Sequence, residues 1–256
     1  MKEIIIKCYN DSINVLPKVI KSIRNKEKLL IVTLNPEGVM TSLEKKELYN
    51  LYMSSNTLLV CESNAIQFAI NQILRKEIKV YPGIELLQDI LYLCQNNNYS
   101  IYLYGAKEEV VSELNKKLHN NKINVIGYSN GYHKNEKEQI NKIIALKPNI
   151  VVAALGVYKQ EMFLNNLLNK STFGIMIGVG GAFDVLSGHK KRAPKIFIKL
   201  KLEWLYRIIK EPKRIKKFIN KNIKFCFLVL RGRWKKWKLL QQLKMYIINI
   251  IFCYSN

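Results

Sequence analysis

The chain has 256 residues, 48% of them hydrophobic, and a formal net charge of +23 at pH 7. Such a chain can bury a sizeable core as one large domain or as a domain with an appendage, which argues against extended disorder. Its five cysteines are scattered and include no Cys-x-x-Cys pair. Their spacing argues against a disulfide framework and against a zinc site.

The N-terminal residues do not look like a secretion signal. The short apolar run IIIKCY, at 4–9, is followed by neither a long hydrophobic region nor a cleavage site of small residues. We therefore expect the chain to begin in the cytosol. Further along, no segment reaches the ~20 apolar residues that span a bilayer. Any membrane contact is expected to be peripheral.

Short apolar runs alternate with segments of helical periodicity along the chain. The apolar runs predict six strands, at 29–34, 57–61, 100–105, 123–128, 149–156 and 172–180. The segments between them predict helices at 41–54, 63–75, 84–96, 107–119, 135–146 and 159–169. This alternation is typical of βα units and predicts an α/β fold with a parallel sheet flanked by helices.

Small and polar residues follow each predicted strand, at 33–36, 62–64, 105–106, 127–132, 156–161 and 178–184. Ligands of open parallel sheets bind beyond the carboxyl ends of the strands. Each position alone can be an ordinary turn, because turns favour the same residue types. Convergence of the whole set on one sheet edge favours a ligand site.

The stretch GVGGAFDVLSGHKKRAP, at 178–194, joins a glycine-rich loop to one carboxylate and a basic run. Gly178, Gly180 and Gly181 allow backbone N–H groups to approach an anion closely, since no Cβ intervenes. Asp184 then lies within reach of a ribose or sugar hydroxyl. The combination indicates a phosphate-bearing ligand, although the glycines alone are also consistent with a tight turn.

The positive charge is concentrated in the C-terminal quarter. From Lys190 onward, twenty Lys and Arg face two acids, Glu203 and Glu211, so this quarter carries +18 of the formal +23. Apolar residues at helical spacing are interleaved with the cations. Such a segment suits an anionic membrane surface, where each cation contributes about 1 kcal/mol. Nucleic acid is the rival partner, but the chain contains no nucleic-acid-binding motif.

Three ordered motifs resemble those of the WecG/TagA/CpsF glycosyltransferases, bacterial enzymes that add the second sugar to a polyprenyl-diphosphate-linked monosaccharide. They are GVYKQE at 156–161, the glycine-rich stretch at 178–194 and LEWLYRIIKEPKR at 202–214. The resemblance covers nearly the whole chain. It implies a Rossmann-like α/β catalytic domain over 1–194 and a basic, helical, membrane-associating appendage over 195–256.

The resemblance implies an inverting transfer of an N-acetylhexosamine, expected to be N-acetylmannosamine, from a UDP-sugar donor to a lipid-linked polyprenyl diphosphate acceptor bearing N-acetylglucosamine. The implied localisation is cytoplasmic, peripheral on the inner face of the cell membrane. The implied pathway is the synthesis of teichoic acid, capsule or exopolysaccharide. No Asp-x-Asp motif occurs, so we expect neither a metal ion nor a cofactor. A homo-oligomer formed through the appendage is a further possibility.

Site residues are implied position by position. The implied catalytic residues are Glu62, Thr33, Asn35 and Gln160. The implied nucleotide-sugar contacts are Gly105, Gly131, Tyr132, Gly156, Gly178, Gly180, Gly181 and Asp184. The residues expected at the acceptor diphosphate and the membrane are Arg192, Arg207 and Arg214, because guanidinium groups fit phosphate oxygens in a fork. The alternatives are turn or cap duty for the polar residues and plain solvation for the arginines.

Glu62-Ser63 and Val80 are the main departures from the family pattern, and Tyr158, where proline is usual, is a milder one. Glu62-Ser63 replaces an Asp-Gly, which lengthens the acid by a methylene, on the order of 1 Å, where misplacement can cost ~100-fold. Val80 stands where an arginine is common, and a nearby lysine does not reproduce the guanidinium fork. Glu62 is therefore either a working base in a reshaped pocket or a sign of a non-catalytic module that binds nucleotide or nucleic acid.

Overall fold

The computed structural model describes residues 1–132, 135–172, 174–200, 202–211 and 219–231. Six strands form a single sheet in the order β2-β1-β6-β5-β3-β4, and every pairing is parallel. Their bounds are β1 Lys28–Leu34, β2 Thr57–Cys61, β3 Ile101–Gly105, β4 Val125–Ser129, β5 Ile150–Ala154 and β6 Gly174–Gly178. The predicted Rossmann-like α/β fold is confirmed.

Helices occupy both faces of the sheet. In chain order they are α1 Lys2–Ser12, α2 Val15–Arg24, α3 Pro36–Glu44, α4 Lys46–Met53, α5 Asn64–Leu74, α6 Gly83–Asn97, α7 Glu108–Asn120, α8 Glu136–Leu146, α9 Lys159–Lys170, α10 Ala182–Leu186, α11 Lys195–Lys199 and α12 Glu203–Lys210. A π-helical turn at Ile219–Ile223 leads into an α-helical segment at 224–231. Among all the residues that the structure describes, no helix is long and apolar enough to cross a bilayer.

The strands are apolar throughout because helices cover both of their faces. One core layer joins the sheet to α1, α3, α4, α5, α8 and α9, and the other joins it to α2, α6, α7 and α10. Successive strand residues point to opposite layers, as Leu30 and Ile31 of β1 do. Parallel strands buried on both faces are expected to read as nearly continuous hydrophobic runs.

The path of the chain across the sheet creates a crevice between β3 and β5. From β3 the chain runs outward through α7 to β4, whereas from β5 it runs through α9 in the opposite direction to β6. The two helices therefore leave neighbouring strand ends toward opposite faces. Such a reversal is the usual position of a ligand in an open α/β sheet.

The predicted helix at 41–54 is two helices in the structure. The first begins at Pro36, because the side chain of Asn35 accepts a hydrogen bond from the backbone of Gly38 and caps the first turn. The chain is extended at Lys45, which separates α3 from α4. No elements were predicted at α1 and α2, each of which has only three buried residues and no side-chain cap at its N-terminus.

Residues 219–231 return to one of the two core layers. Phe225 and Val229 are buried in the same layer as α3 and α4, and the Lys221 ammonium lies 2.6 Å from the carboxylate of Glu44. By contrast, α11 and α12 have no fully buried residue. A domain boundary at 194 stays a prediction, although part of the chain after it contributes to the core.

Candidate active site

The carboxylate of Glu62 lies just beyond the carboxyl end of β2. Asn35 donates a hydrogen bond from Nδ2 to Glu62 Oε2 at 3.1 Å, and the backbone of Gly83 donates another. Burial raises the pKa of Glu62 above its ordinary value, while Asn35, the charge of Arg207 and the Gly83 bond oppose that rise. The side chain remains partly exposed. The carboxylate is therefore held by two hydrogen bonds and remains partly accessible, and its role as a base stays a prediction.

Gly83 provides the space that Glu62 occupies. A Cβ at this position would lie 3.2 Å from Glu62 Oε1 and 3.2 Å from Thr33 Cγ2. Gly83 is also the first residue of α6, whose N-terminal end favours negative charge. The sequence analysis missed this glycine, because its contact with β2 joins segments that are not adjacent in the chain.

Asn35 caps a helix, as one of its two predicted alternatives states, and also contacts Glu62. Its Oδ1 accepts from the backbone of Gly38 at 3.0 Å and caps α3, while its Nδ2 points to Glu62. Because both ends of the amide are engaged, its orientation is fixed. Asn35 therefore orients Glu62, and a direct contact with a sugar stays a prediction.

Thr33 ties the end of β1 to the glycine-rich loop. Its hydroxyl donates to the carbonyl oxygen of Gly178 at 2.9 Å, and the residue is buried. This bond holds the two strand ends in register beside Glu62. The predicted catalytic role of Thr33 is untested by this geometry, which gives the hydroxyl a structural partner.

Gln160 lies beneath the glycine-rich loop. Its Oε1 accepts from the backbone N–H of Gly180 at 3.1 Å, and its Nε2 donates to Glu161 at 2.9 Å. The amide packs so closely on Gly178 that a Cβ there would lie 2.8 Å from Nε2. Gln160 thus connects the loop to a buried acid, Glu161, which was not among the predicted site residues.

A cavity of about 440 Å³ opens at the crevice between β3 and β5. This volume is within the range typical of small-molecule sites. Several predicted nucleotide-sugar residues line it, together with others that were not predicted: Ala106, Lys107, Glu109, Val110, Tyr132, Ala154, Gly180, Asp184, His189 and Lys190. The cavity therefore brings together residues at the ends of β3, β4, β5 and β6, in agreement with the predicted convergence at one edge of the sheet.

Charged groups surround the mouth of the cavity. Lys190 lies 3.8 Å from Asp184 and 3.0 Å from Glu211, which follows α12. The ring Nδ1 of His189 lies 3.0 Å from the Ser187 hydroxyl, and Lys107 also lines the cavity. The two lysines can neutralise a bound anion. The Lys190 bridge also joins the cavity wall to the segment that follows α12.

Two glycines allow the strand ends to meet at the crevice. Gly105 has a φ of +123°, and a Cβ there would lie 2.5 Å from the Ala154 carbonyl oxygen. A Cβ on Gly131 would lie 2.5 Å from a methyl of Leu155. Close packing against the Ala154 backbone and against Leu155 favours glycine at these two positions, and their contacts with a nucleotide sugar stay predictions.

The remaining predicted residues occupy open positions. Gly156 and Gly180 have positive φ values of +82° and +51°, and a Cβ on either would meet nothing within 4 Å. Gly181 immediately precedes α10, which carries Asp184. Tyr132 is exposed and lines the cavity. These positions leave room for a ligand, and their contacts with one stay predictions.

The arginines are distributed over different parts of the site. Arg192 lies 2.6 Å from Glu85 in the first turn of α6, and its Nε is buried without a hydrogen-bond partner among the residues described. Arg207 pairs with Glu203 on α12, and its charge lowers the pKa of Glu62. Arg214 lies outside the described residues. Of the two described arginines, Arg207 is electrostatically coupled to Glu62.

Within the described ranges, no three His, Cys, Asp or Glu side chains are grouped so as to hold a metal ion. The metal independence expected from the sequence stays a prediction. The lysines and backbone N–H groups at the cavity can stabilise the negative charge of a phosphate ligand.

The chain is similar to known enzymes over most of its length. Residues 5–239 match the model of the Glycosyl transferase WecG/TagA/CpsF family. An N-acetylglucosaminyldiphosphoundecaprenol N-acetyl-beta-D-mannosaminyltransferase of Bacillus subtilis (strain 168) is 32% identical over 211 residues, which cover 81% of each chain. A protein of the same name from Bacillus spizizenii is 30% identical over 193 residues, or 74% of each chain.

Proposed function

The chain belongs to the WecG/TagA/CpsF glycosyltransferase family, and from that premise we propose that it transfers N-acetylmannosamine from a UDP-sugar to a polyprenyl-diphosphate-linked N-acetylglucosamine. The observation that carries the proposal is the partly exposed Glu62 carboxylate, held by Asn35 and Gly83. The similarity to the two Bacillus transferases supports the choice of sugar and acceptor.

In the proposed reaction, Glu62 is the general base. The acceptor hydroxyl attacks the anomeric carbon of the donor, its proton passes to the Glu62 carboxylate, and the bond to the diphosphate breaks with its electron pair leaving on UDP. Burial raises the pKa of Glu62, which brings it closer to the range in which a base works efficiently near neutral pH. Attack on the face opposite the leaving group gives inversion.

The donor is proposed to occupy the cavity between β3 and β5. Asp184 can accept hydrogen bonds from ribose hydroxyls, and Lys107, His189 and Lys190 line the same cavity. Cations and backbone N–H groups that face the departing diphosphate stabilise the charge that develops as its bond breaks. Gln160 contacts the glycine-rich loop. This loop lines the cavity at Gly180 and is bonded at Gly178 to Thr33, beside Glu62.

The acceptor lipid is proposed to reach the site along the C-terminal segments, with the protein peripheral on the inner face of the membrane. Large apolar side chains are exposed there, on and beside α11, α12 and 223–230: Ile196, Leu200, Trp204, Ile209, Ile223, Phe227 and Leu230. Cations separate them in the sequence. Exposed apolar groups with interspersed cations suit an interface with anionic lipid.

A donor and acceptor panel tests this function. Purified full-length protein would be given UDP-linked N-acetylmannosamine, N-acetylglucosamine and N-acetylgalactosamine, each with a short-chain polyprenyl diphosphate bearing N-acetylglucosamine. The proposal expects product only with the mannosamine donor and only when the acceptor carries its diphosphate. Transfer of another sugar would correct the donor, and transfer to a diphosphate-free acceptor would contradict the acceptor.

The alternative, a non-catalytic module that binds nucleotide or nucleic acid, is not favoured by the family match. It would require UDP binding without transfer to any acceptor in the same panel. A homo-oligomer also stays a prediction, and sedimentation of the full chain with and without detergent tests it.

A further inference from the structure

Glu161 is a buried acid outside the predicted catalytic set. It is 2% exposed and lies in the first turn of α9. Its two oxygens accept from Gln160 Nε2 at 2.9 Å and from the backbone N–H of Tyr158 at 2.5 Å. Among the described residues, no salt bridge neutralises its charge. A buried acid held this way is costly, so its contacts merit a functional explanation.

The contacts of Glu161 fix the orientation of one amide. An ionised carboxylate only accepts hydrogen bonds, so Gln160 must present its NH₂ group to Glu161. The amide oxygen is then turned toward the N–H of Gly180, which it accepts at 3.1 Å. Protonation of Glu161 removes this constraint, because the acid can then donate a hydrogen bond to the amide oxygen of Gln160. A reversed amide would direct its NH₂ group at the N–H of Gly180, and the hydrogen bond to the loop would be lost.

The loop that this amide holds is the wall of the donor cavity. Gly180 lines the cavity and has a φ of +51° with open space on its Cβ side. Nothing else in the described contacts of its N–H replaces the Gln160 oxygen. Thr33 holds the other end of the turn through Gly178. The Gly180 conformation therefore depends on the direction of the Gln160 amide.

We propose that Glu161 is a positioning residue whose ionised carboxylate orients the Gln160 amide and so holds the glycine-rich loop in its ligand-binding form. The role rests on the proposed function, because it assumes that the cavity beside the loop binds the nucleotide. Glu161 touches neither donor nor acceptor in this scheme. It acts through Gln160 and Gly180.

The surroundings of Glu161 make this device sensitive to pH. Burial raises the pKa of Glu161 to about 7, and the charge of Glu37 on α3 adds to the rise. The phenol of Tyr52 on α4 is buried near Glu161, and α8 contributes Glu136, which accepts from Asn166 on α9. The carboxylate is therefore ionised above about pH 7 and protonated below it. The loop should be held at high pH and released as the pH falls.

Equilibrium binding of UDP to the full-length protein tests the proposal. At about pH 8, Glu161→Gln should bind UDP about tenfold more weakly than wild type. When the pH falls to about 6, wild-type binding should weaken by about tenfold more than binding by the variant does. Titration of UDP itself affects both proteins equally, so their difference reports Glu161. Glu77→Gln, which removes an exposed acid between α5 and α6, should follow the wild-type profile. Coincident profiles for wild type and Glu161→Gln would overturn the proposal.

Hydrogen exchange of the Gly180 amide provides a second readout that needs neither UDP nor transfer. It should be about tenfold faster in Glu161→Gln than in wild type at pH 8, while amides of the sheet keep their protection. Equal exchange at Gly180 would overturn the proposal even if the protein bound no nucleotide. Absence of transfer with a normal Glu161 effect would instead contradict the proposed function alone.

Discussion

Replacing Gly83 by alanine tests whether the space beside Glu62 sets the position of its carboxylate. The new Cβ would lie 3.2 Å from Glu62 Oε1 and 3.2 Å from Thr33 Cγ2, where ordinary contact begins at 3.4 Å. One of the neighbours must move by a few tenths of an ångström. Thr33 is buried and bonded to Gly178, so the Glu62 carboxylate is the group that gives way.

The displaced carboxylate loses the hydrogen bond from the Gly83 backbone and its alignment with the acceptor hydroxyl. Loss of one hydrogen bond costs about 1 kcal/mol, or roughly fivefold, and misplacement of a base can cost ~100-fold. We therefore expect kcat/KM to fall by a factor between about 5 and about 100. The free energy of unfolding should change by no more than about 1 kcal/mol, because Gly83 is the first residue of α6 and the group that gives way is a partly exposed carboxylate.

Steady-state transfer and thermal unfolding would be measured for wild type, Gly83→Ala, Glu62→Asp and the double variant. The shorter aspartate withdraws the carboxylate from the added methyl group. The double variant should therefore lose less activity than the two single losses combined, since the residues are in contact. Unchanged kcat/KM in Gly83→Ala, or strictly additive losses, would refute the assigned role of this space.

Three further predictions concern the core, the buried acid and the membrane surface. Phe225→Ala should lower the free energy of unfolding by about 3–5 kcal/mol because the ring is fully buried. Phe227→Ala, at a residue 61% exposed, should change it by less than ~0.5 kcal/mol. Urea unfolding distinguishes the two variants, and equal effects would refute the packing of Phe225. Glu161→Gln should gain stability over wild type as the pH rises from about 5 to about 8. Burial raises the pKa of Glu161 to about 7 in the folded state, above the ordinary carboxyl value. Its ionisation therefore destabilises folded wild type by on the order of 2–3 kcal/mol between these pH values. A stability difference between the two proteins that does not change with pH would contradict this. Trp204→Glu should reduce flotation with anionic vesicles, whereas Ile13→Glu, also at an exposed residue, should not; equal flotation of both variants with wild type would exclude Trp204 from the membrane surface.

The sheet was predictable because its strands are buried on both faces and therefore read as uninterrupted apolar runs. The polar strand ends, Asn35 and Glu62 among them, could be located for the same reason. The helices α1 and α2 escaped prediction because each buries only a few residues and neither has a side-chain cap. The break at Lys45 likewise lies within a periodic segment and has no glycine or proline to mark it.

Two features of the site depend on contacts that no local pattern specifies. Gly83 matters through its distance to Glu62, and these residues meet because the segment between them runs alongside β2, where the Tyr81 backbone bonds to Cys61. Glu161 matters because it is buried, yet its sequence neighbours suggest only the first turn of a helix. Tertiary packing decides both, so the family motif at 156–161 includes Glu161 but does not show that its carboxylate is buried behind Gln160.

The most direct test of the central claim is the rate of N-acetylmannosamine transfer to the lipid-linked acceptor by Glu62→Gln, Glu62→Asp and wild type. Glu77→Gln, which changes an exposed acid a short distance along the chain, is the matched control. A general base predicts that the glutamine variant loses at least about 100-fold in kcat, that aspartate retains part of the rate, and that the control is unaffected. Near-normal kcat in Glu62→Gln, with UDP binding unchanged, would show that another group takes the acceptor proton.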